Sequence, residues 1–82
     1  MRFVATIHVR PREEVRDPQG DAVRAALGSI GLRAESVRVG KEIVVRYEAD
    51  DEPAARAMAQ TMAKELLANP VVEDYTLELV AE

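Results

Sequence analysis

Hydrophobic and polar side chains alternate along four short stretches of the chain, residues 2–10, 34–39, 42–49 and 72–80. A period of two is typical of a β-strand that buries one of its faces. The pattern therefore predicts four strands.

A helical period replaces the alternation over residues 18–30. Its apolar stripe consists of Val23, Ala26, Leu27 and Ile30. Asp17 is a good N-cap because its carboxylate accepts a hydrogen bond from a free N–H of the first turn, and Pro18 suits the first helical position. Gly31 stands where a left-handed C-cap is expected.

A second helix is predicted after the acidic run Asp50-Asp51-Glu52, whose charge complements the positive end of a helix dipole. Asn69-Pro70 ends this helix. Its apolar stripe consists of Ala55, Met58, Ala59, Met62, Ala63 and Leu66.

These elements follow the order β-α-β-β-α-β, which predicts an α+β, ferredoxin-like two-layer sandwich with an antiparallel sheet and two helices on one face. Gly40-Lys41 is interpreted as the tight turn of a hairpin between the second and third strands, with Gly40 at positive φ. Residues 1–82 form a single domain. The predicted core consists of Phe3, Ile7, Val9, Val23, Leu27, Ile30, Val37, Val39, Ile43, Val45, Met58, Met62, Leu66, Tyr75 and Leu77.

The composition narrows the function classes. A hydrophobic fraction of 48% and a charged fraction of 32% are those of an ordinary globular protein, and the absence of cysteine excludes disulfides and thiolate sites. A net charge of −4 argues against general nucleic-acid binding, which depends on basic side chains. No signal peptide or membrane span is recognised, so we expect no membrane association and a cytoplasmic location.

No motif predicts a catalytic or metal site. His8 is the only histidine and has no further ligands on its strand, so it is interpreted as a partly exposed strand residue. The acidic run at 50–52 lacks calcium-loop spacing. The charged residues 10–16 are interpreted as a solvated loop, and an anion site at the helix start beside Gln19 is disfavoured by Asp17.

Three features suggest contact with other polypeptides. Gly20 inside a helix costs stability relative to alanine, which indicates a close approach at the helix start. Arg38 and Lys41 serve equally well as solvated turn residues or as anchors for a partner. The second face of the sheet mixes apolar and charged groups and favours cover by another subunit; it carries Val4, Thr6, His8, Arg38, Val44, Arg46, Glu78 and Val80.

Three segments together resemble the PurS family, the small subunit of formylglycinamidine ribonucleotide synthase: Asp17-Pro18-Gln19-Gly20, Val37-Arg38-Val39-Gly40-Lys41 and the stretch from Leu67 to Tyr75. The matching positions are Asp17, Pro18, Gln19, Gly20, Arg38, Val39, Gly40, Lys41, Leu67, Asn69, Pro70, Glu73, Asp74 and Tyr75. The loop that begins at Arg10-Pro11 looks about two residues longer than the family's usual one, so the details of contacts through that loop are not carried over from relatives.

The resemblance implies a subunit without its own active site in an ATP-dependent, glutamine-using ligase complex. Its implied partners are a large synthetase subunit, which carries ATP and Mg, a glutaminase subunit, and further copies of itself as a dimer or tetramer. Its implied role is to join the two larger subunits and support ammonia transfer. We expect partner contacts at Asp17, Pro18, Gln19, Gly20, Arg38, Gly40, Lys41, Asn69 and Pro70. The alternative is an ACT-like module that binds a small regulatory ligand, since that class shares the sandwich topology.

Overall fold

The computed structural model describes all 82 residues and confirms the α+β class, with an antiparallel sheet and two helices. In chain order the elements are β1 (Arg2–Pro11), α1 (Pro18–Ser29), β2 (Lys41–Glu48), α2 (Glu52–Met62) and β3 (Glu73–Ala81). A π-helical turn, Ala63–Leu67, continues α2. The strand order in the sheet is β2-β1-β3, so the N-terminal strand lies in the middle.

The inner face of β1 forms the centre of the core. Phe3, Ala5, Ile7 and Val9 alternate along it and are all buried. Ile7 lies opposite Ile43 on β2 and Leu77 on β3, so this buried residue has an apolar neighbour on both sides.

Helix α2 packs on this inner face through alanines rather than large side chains. Ala55, Ala59 and Ala63 recur every four residues and are completely buried. Side chains this small let the helix approach the sheet closely. The Tyr47 hydroxyl donates to the Ala55 carbonyl and fixes the helix over β2. Helix α2 begins at the acidic run, as predicted, and the Asp51 carboxylate caps it by accepting from the Ala54 N–H at 2.8 Å.

The π-helical turn changes which leucine enters the core. The Ala68 N–H donates to the Ala63 carbonyl five residues earlier, and the wider turn shifts the helical register by one residue. Leu67 therefore packs against the core, while Leu66 is 82% exposed. The prediction that Leu66 belongs to the core is wrong for this reason, and Met58, at 41% exposure, is also misplaced.

Helix α1 forms no packing interface with the sheet or with α2. Gly20 is its one buried residue, whereas Val23 and Ile30, predicted for the core, are exposed. The molecule measures 51 × 26 × 14 Å with a radius of gyration of 16.2 Å. A compact domain of this length has a radius of gyration of about 12 Å. The chain is therefore elongated, with α1 outside the main core.

The predicted strand over 34–39 does not join the sheet, which has three strands. Its backbone forms a hydrogen bond outside the sheet, because the Val39 N–H donates to the Asp17 carboxylate. The predicted hairpin at Gly40-Lys41 is also wrong, since Lys41 already begins β2 and Gly40 has no positive φ. Position 40 requires a glycine for another reason, because a Cβ there would lie 2.5 Å from the Val9 carbonyl oxygen.

Candidate functional site

The three segments singled out in the sequence meet at one end of the sheet. We call this region the junction and define it as residues 12–20, 37–41 and 69–74. The loop that follows β1 links the other parts, so residues far apart in the chain share one network of hydrogen bonds. Irregular backbone and charged side chains are concentrated at the junction.

Asp17 ties the start of α1 to the segment before β2. Its Oδ1 accepts from the Gly20 N–H at 3.0 Å, and its Oδ2 accepts from the Val39 N–H at 2.8 Å. These bonds, first from Val39 and then from Gly20, lower the pKa of the Asp17 carboxyl, against the effect of burial and with help from the Arg38 charge. The predicted N-cap is confirmed, and the same carboxylate also clamps a second segment.

Gly20 is required by this clamp. A Cβ on Gly20 would lie 2.2 Å from the Val37 carbonyl oxygen and 2.8 Å from Asp17 Oδ2. The close approach predicted at the helix start therefore comes from the chain's own backbone.

Arg38 fixes the loop after β1. Its Nη2 donates to the carbonyl oxygens of Arg12 at 2.6 Å and Val15 at 2.7 Å. Because 34–39 is not a strand, Arg38 does not lie on the outer face of the sheet, and that placement is corrected. The loop is thus held by hydrogen bonds, while Glu13, Glu14 and Arg16 are exposed, as expected of a solvated connection.

Arg12 connects the same loop to the turn before β3. Its Nη2 donates to the Pro70 carbonyl at 2.7 Å, and its Nε lies 3.7 Å from Asp74 Oδ1. Its own N–H donates to the Val72 carbonyl at 2.9 Å. Arg12 stands in a mixed run of charges, and nothing in the sequence distinguishes it from its neighbours as a functional residue.

Asn69 organises the turn before β3. Its side-chain oxygen accepts from the Val71 N–H at 3.0 Å, and its own N–H donates to the Glu73 carboxylate at 2.7 Å. Asn69-Pro70 follows the last helical turn directly, which confirms the predicted end of the helix.

A polar notch of about 890 Å³ opens beside the junction, between the end of β1 and the start of β2. Arg10, Lys41 and Glu13 line it and form no ion pair within the chain, whereas Glu42 and Asp74 are paired with His8 and Arg12. The notch therefore offers two unpaired cations and one unpaired carboxylate to an approaching group.

The predicted contact residues divide into two sets. Asp17 and Gly20 are buried and serve the chain's own fold. The others are exposed at the junction: Pro18, Gln19, Arg38, Gly40, Lys41, Asn69 and Pro70. For this exposed set, contact with a partner remains a prediction.

The remaining candidate groups lie elsewhere. His8 stands half-exposed on the outer face of β1, 3.7 Å from a Glu42 oxygen and 3.9 Å from a Glu78 oxygen, in agreement with its interpretation as a strand residue. No three His, Cys, Asp or Glu side chains converge to hold a metal ion. None of the helices has the length and apolar character needed to cross a membrane.

A family model described as PurS, phosphoribosylformylglycinamidine (FGAM) synthase, matches residues 4–81. The phosphoribosylformylglycinamidine synthase subunit PurS of Synechocystis is 43% identical over 92% of this chain and 76% of its own length. The subunit of the same name from Thermotoga maritima is 38% identical over 89% of this chain and 90% of its own length.

Solved structures give the same result. Thermus thermophilus PurS superimposes with a TM-score of 0.88 at 38% identity, covering 100% of this chain and 99% of that one. A chain in the structure of PurLQS from Thermotoga maritima superimposes with a TM-score of 0.89 at 34% identity, covering 98% and 99%. Nothing in these similarities supports the ligand-sensing alternative.

Proposed function

The chain belongs to the PurS family, and from that premise we propose that it is the non-catalytic assembly subunit of phosphoribosylformylglycinamidine synthase in purine biosynthesis. In this role it joins an ATP-dependent synthetase subunit of the PurL type to a glutaminase subunit of the PurQ type and supports ammonia transfer between them. The observation that carries the proposal is the similarity, over almost the whole chain, to a chain in the PurLQS structure.

The proposal places ATP and Mg on the large subunit and the complex in the cytoplasm. It also includes self-association. The elongated shape and the exposed apolar side chains of α1 support it, because a domain of this size gains stability by burying such surface against another copy.

The test is assembly of the three purified subunits from one organism. We expect the chain to coelute with the two larger subunits on gel filtration in the presence of ATP, formylglycinamide ribonucleotide and glutamine. We also expect glutamine-dependent synthesis to require the chain. Separate elution of all three subunits, or full glutamine-dependent activity without this chain, would overturn the proposal.

A pair of charge reversals locates the contact surface. Lys41→Glu reverses an unpaired cation of the notch, and Arg2→Glu reverses a cation at the opposite end of the sheet, where Arg2 forms an exposed ion pair with Glu48. We expect Lys41→Glu to weaken assembly at least tenfold and Arg2→Glu to leave it within twofold. Equal effects of the two variants would contradict docking through the junction while leaving the assembly role intact.

A further inference from the structure

The polar notch beside the junction is locally positive on a chain that is negative as a whole. Besides the unpaired cations Arg10 and Lys41, it is lined by Arg38, whose guanidinium is bound only to neutral carbonyl groups. Glu13 is the one unpaired carboxylate that faces these three cations. Because the net charge of the chain is −4, attraction of an anionic group to the notch is local and does not follow from the overall charge.

Arg38 is the fixed element of the notch. Its Nη2 donates to the carbonyl oxygens of Arg12 at 2.6 Å and Val15 at 2.7 Å, which orders the side chain without neutralising it. The remaining N–H donors of the guanidinium, on Nε and Nη1, form no hydrogen bond within the chain. A charged donor that is already ordered loses little side-chain entropy when an anion binds to it. Arg38 is therefore a preorganised donor of charge-assisted hydrogen bonds.

Gly40 holds the two mobile cations of the notch close together. A Cβ at position 40 would lie 2.5 Å from the Val9 carbonyl oxygen and 3.3 Å from the Arg10 Cβ, so the backbone before Lys41 touches the end of β1. Two cations thus start from neighbouring backbone positions, and neither is paired with a carboxylate. An anionic partner would relieve this juxtaposition of like charges.

The lining of the notch is that of a contact with another polypeptide. Apart from Pro11, Val9 is its only apolar residue, whereas pockets for small molecules are lined mainly by hydrophobic and aromatic groups. The carboxylates of Glu13, Glu42 and Asp74 also line it, and they disfavour a compact, multiply charged anion such as phosphate. Carboxylates spaced along a peptide can instead each lie beside one cation.

We propose that the notch binds an acidic segment of a larger subunit, with Asp or Glu carboxylates of that segment beside Arg10, Arg38 and Lys41. The inference rests on the proposed assembly role and specifies the chemistry by which the partner is recognised. A phosphate group bound in the notch is the competing arrangement.

Removal of single charges tests the inference in the complex of the three subunits. Arg10→Gln and Lys41→Gln each remove an unpaired cation, and Glu13→Gln removes the unpaired carboxylate. Arg16→Gln is the matched control, because Arg16 lies in the same loop and is 84% exposed but does not line the notch. All four positions are exposed, so folding is retained.

The expected effects differ in sign. We expect Arg10→Gln and Lys41→Gln each to raise the Kd of assembly about fivefold, as for the loss of one ion pair. Glu13→Gln should lower the Kd about twofold, because it removes a charge that repels the segment. Arg16→Gln should leave the Kd unchanged. Equal effects of the three cation removals, or a raised Kd for Glu13→Gln, would overturn the inference while leaving the assembly role intact.

NMR titration of the free chain decides the inference even where no complex forms, an outcome that would overturn the assembly role alone. The probes are a short polyglutamate peptide and inorganic phosphate at matched ionic strength. We expect the peptide to shift amide signals within residues 10–13 and 38–41, and Lys41→Gln to reduce these shifts. The absence of such shifts, or their appearance at a lower concentration of phosphate than of peptide, would overturn the inference.

Discussion

Replacement of Gly20 by alanine tests the clamp at the root of α1. Alanine is favoured over glycine inside a helix by about 0.5–1 kcal/mol, so the change stabilises the protein wherever there is room for a methyl group. At Gly20 there is none, because the new Cβ would lie 2.2 Å from the Val37 carbonyl oxygen. That atom belongs to the backbone and cannot move aside without displacing Val39 from Asp17. Overpacking of this kind costs about 1–3 kcal/mol.

The expected net effect is a decrease of about 1–2 kcal/mol in the free energy of unfolding, measured by urea denaturation at one fixed protein concentration. Gly28→Ala is the matched control, since Gly28 lies in the same helix and a Cβ there meets nothing within 4 Å. We expect Gly28→Ala to increase the free energy of unfolding by about 0.5–1 kcal/mol. If both variants were stabilised to the same extent, the close approach of Val37 to α1 would be refuted.

Three further changes test other parts of the structure. Asp17 has a lowered pKa in the folded state, so its contribution to stability is present above the unfolded pKa of about 3.9 and is lost as the pH falls through the folded value. Asp17→Asn should therefore reduce the decrease in the urea-denaturation midpoint on acidification. An unchanged decrease would contradict the role of the carboxylate. Ala59→Leu should lower the free energy of unfolding by about 1–3 kcal/mol because Ala59 is completely buried against the sheet. The control Gln60→Leu should change the free energy of unfolding by less than about 0.5 kcal/mol. Equal effects of the two variants would mean that α2 does not pack through its alanines. Arg12→Ala should accelerate hydrogen exchange at the amides of residues 71–73 several-fold, because it releases the Pro70 carbonyl. The control Arg16→Ala removes only an exposed ion pair with Asp21 and should leave this exchange unchanged. Equal exchange in the two variants would argue against the hydrogen bond between Arg12 and Pro70.

Local signals predicted most of the elements correctly. The caps at Asp17 and Gly31 each depend on residues close in sequence, and both occur as predicted. The alternation in β1 likewise identified the buried face of the central strand. Such features are readable because the interactions that decide them are close in sequence.

The misplaced elements depend on a distant contact, on one irregular helical turn and on small buried side chains. Alternation predicted a strand at 34–39, but the Val39 N–H is used by Asp17, more than twenty residues earlier. A period of 3.6 placed Leu66 in the core, but a single wide turn shifted the register. The core also depends on alanines, whose small size gives a weak hydrophobic signal despite complete burial of Ala55 and Ala63. Periodicity placed these alanines on the apolar stripe of the helix, but it gave neither their complete burial, nor the wide turn, nor the bond to Asp17.

For the junction, the sequence indicated the correct segments but not their connections. Gly20 signalled a close approach, although the approaching group proved to be the chain's own backbone at Val37. Arg12 gave no signal, because a side chain that bonds a carbonyl nearly sixty residues away looks like any other charge in a loop.

The central position of β1 has a consequence for biosynthesis. β1 leaves the ribosome before both of its neighbours, and one of them, β3, is the last strand to be made. One long backbone edge of β1 therefore remains without its partner until β3 has been made. Pairing across such sequence distances is slow, and unpaired edges are prone to aggregate. We therefore expect a nascent chain that lacks β3 to be a client of chaperones.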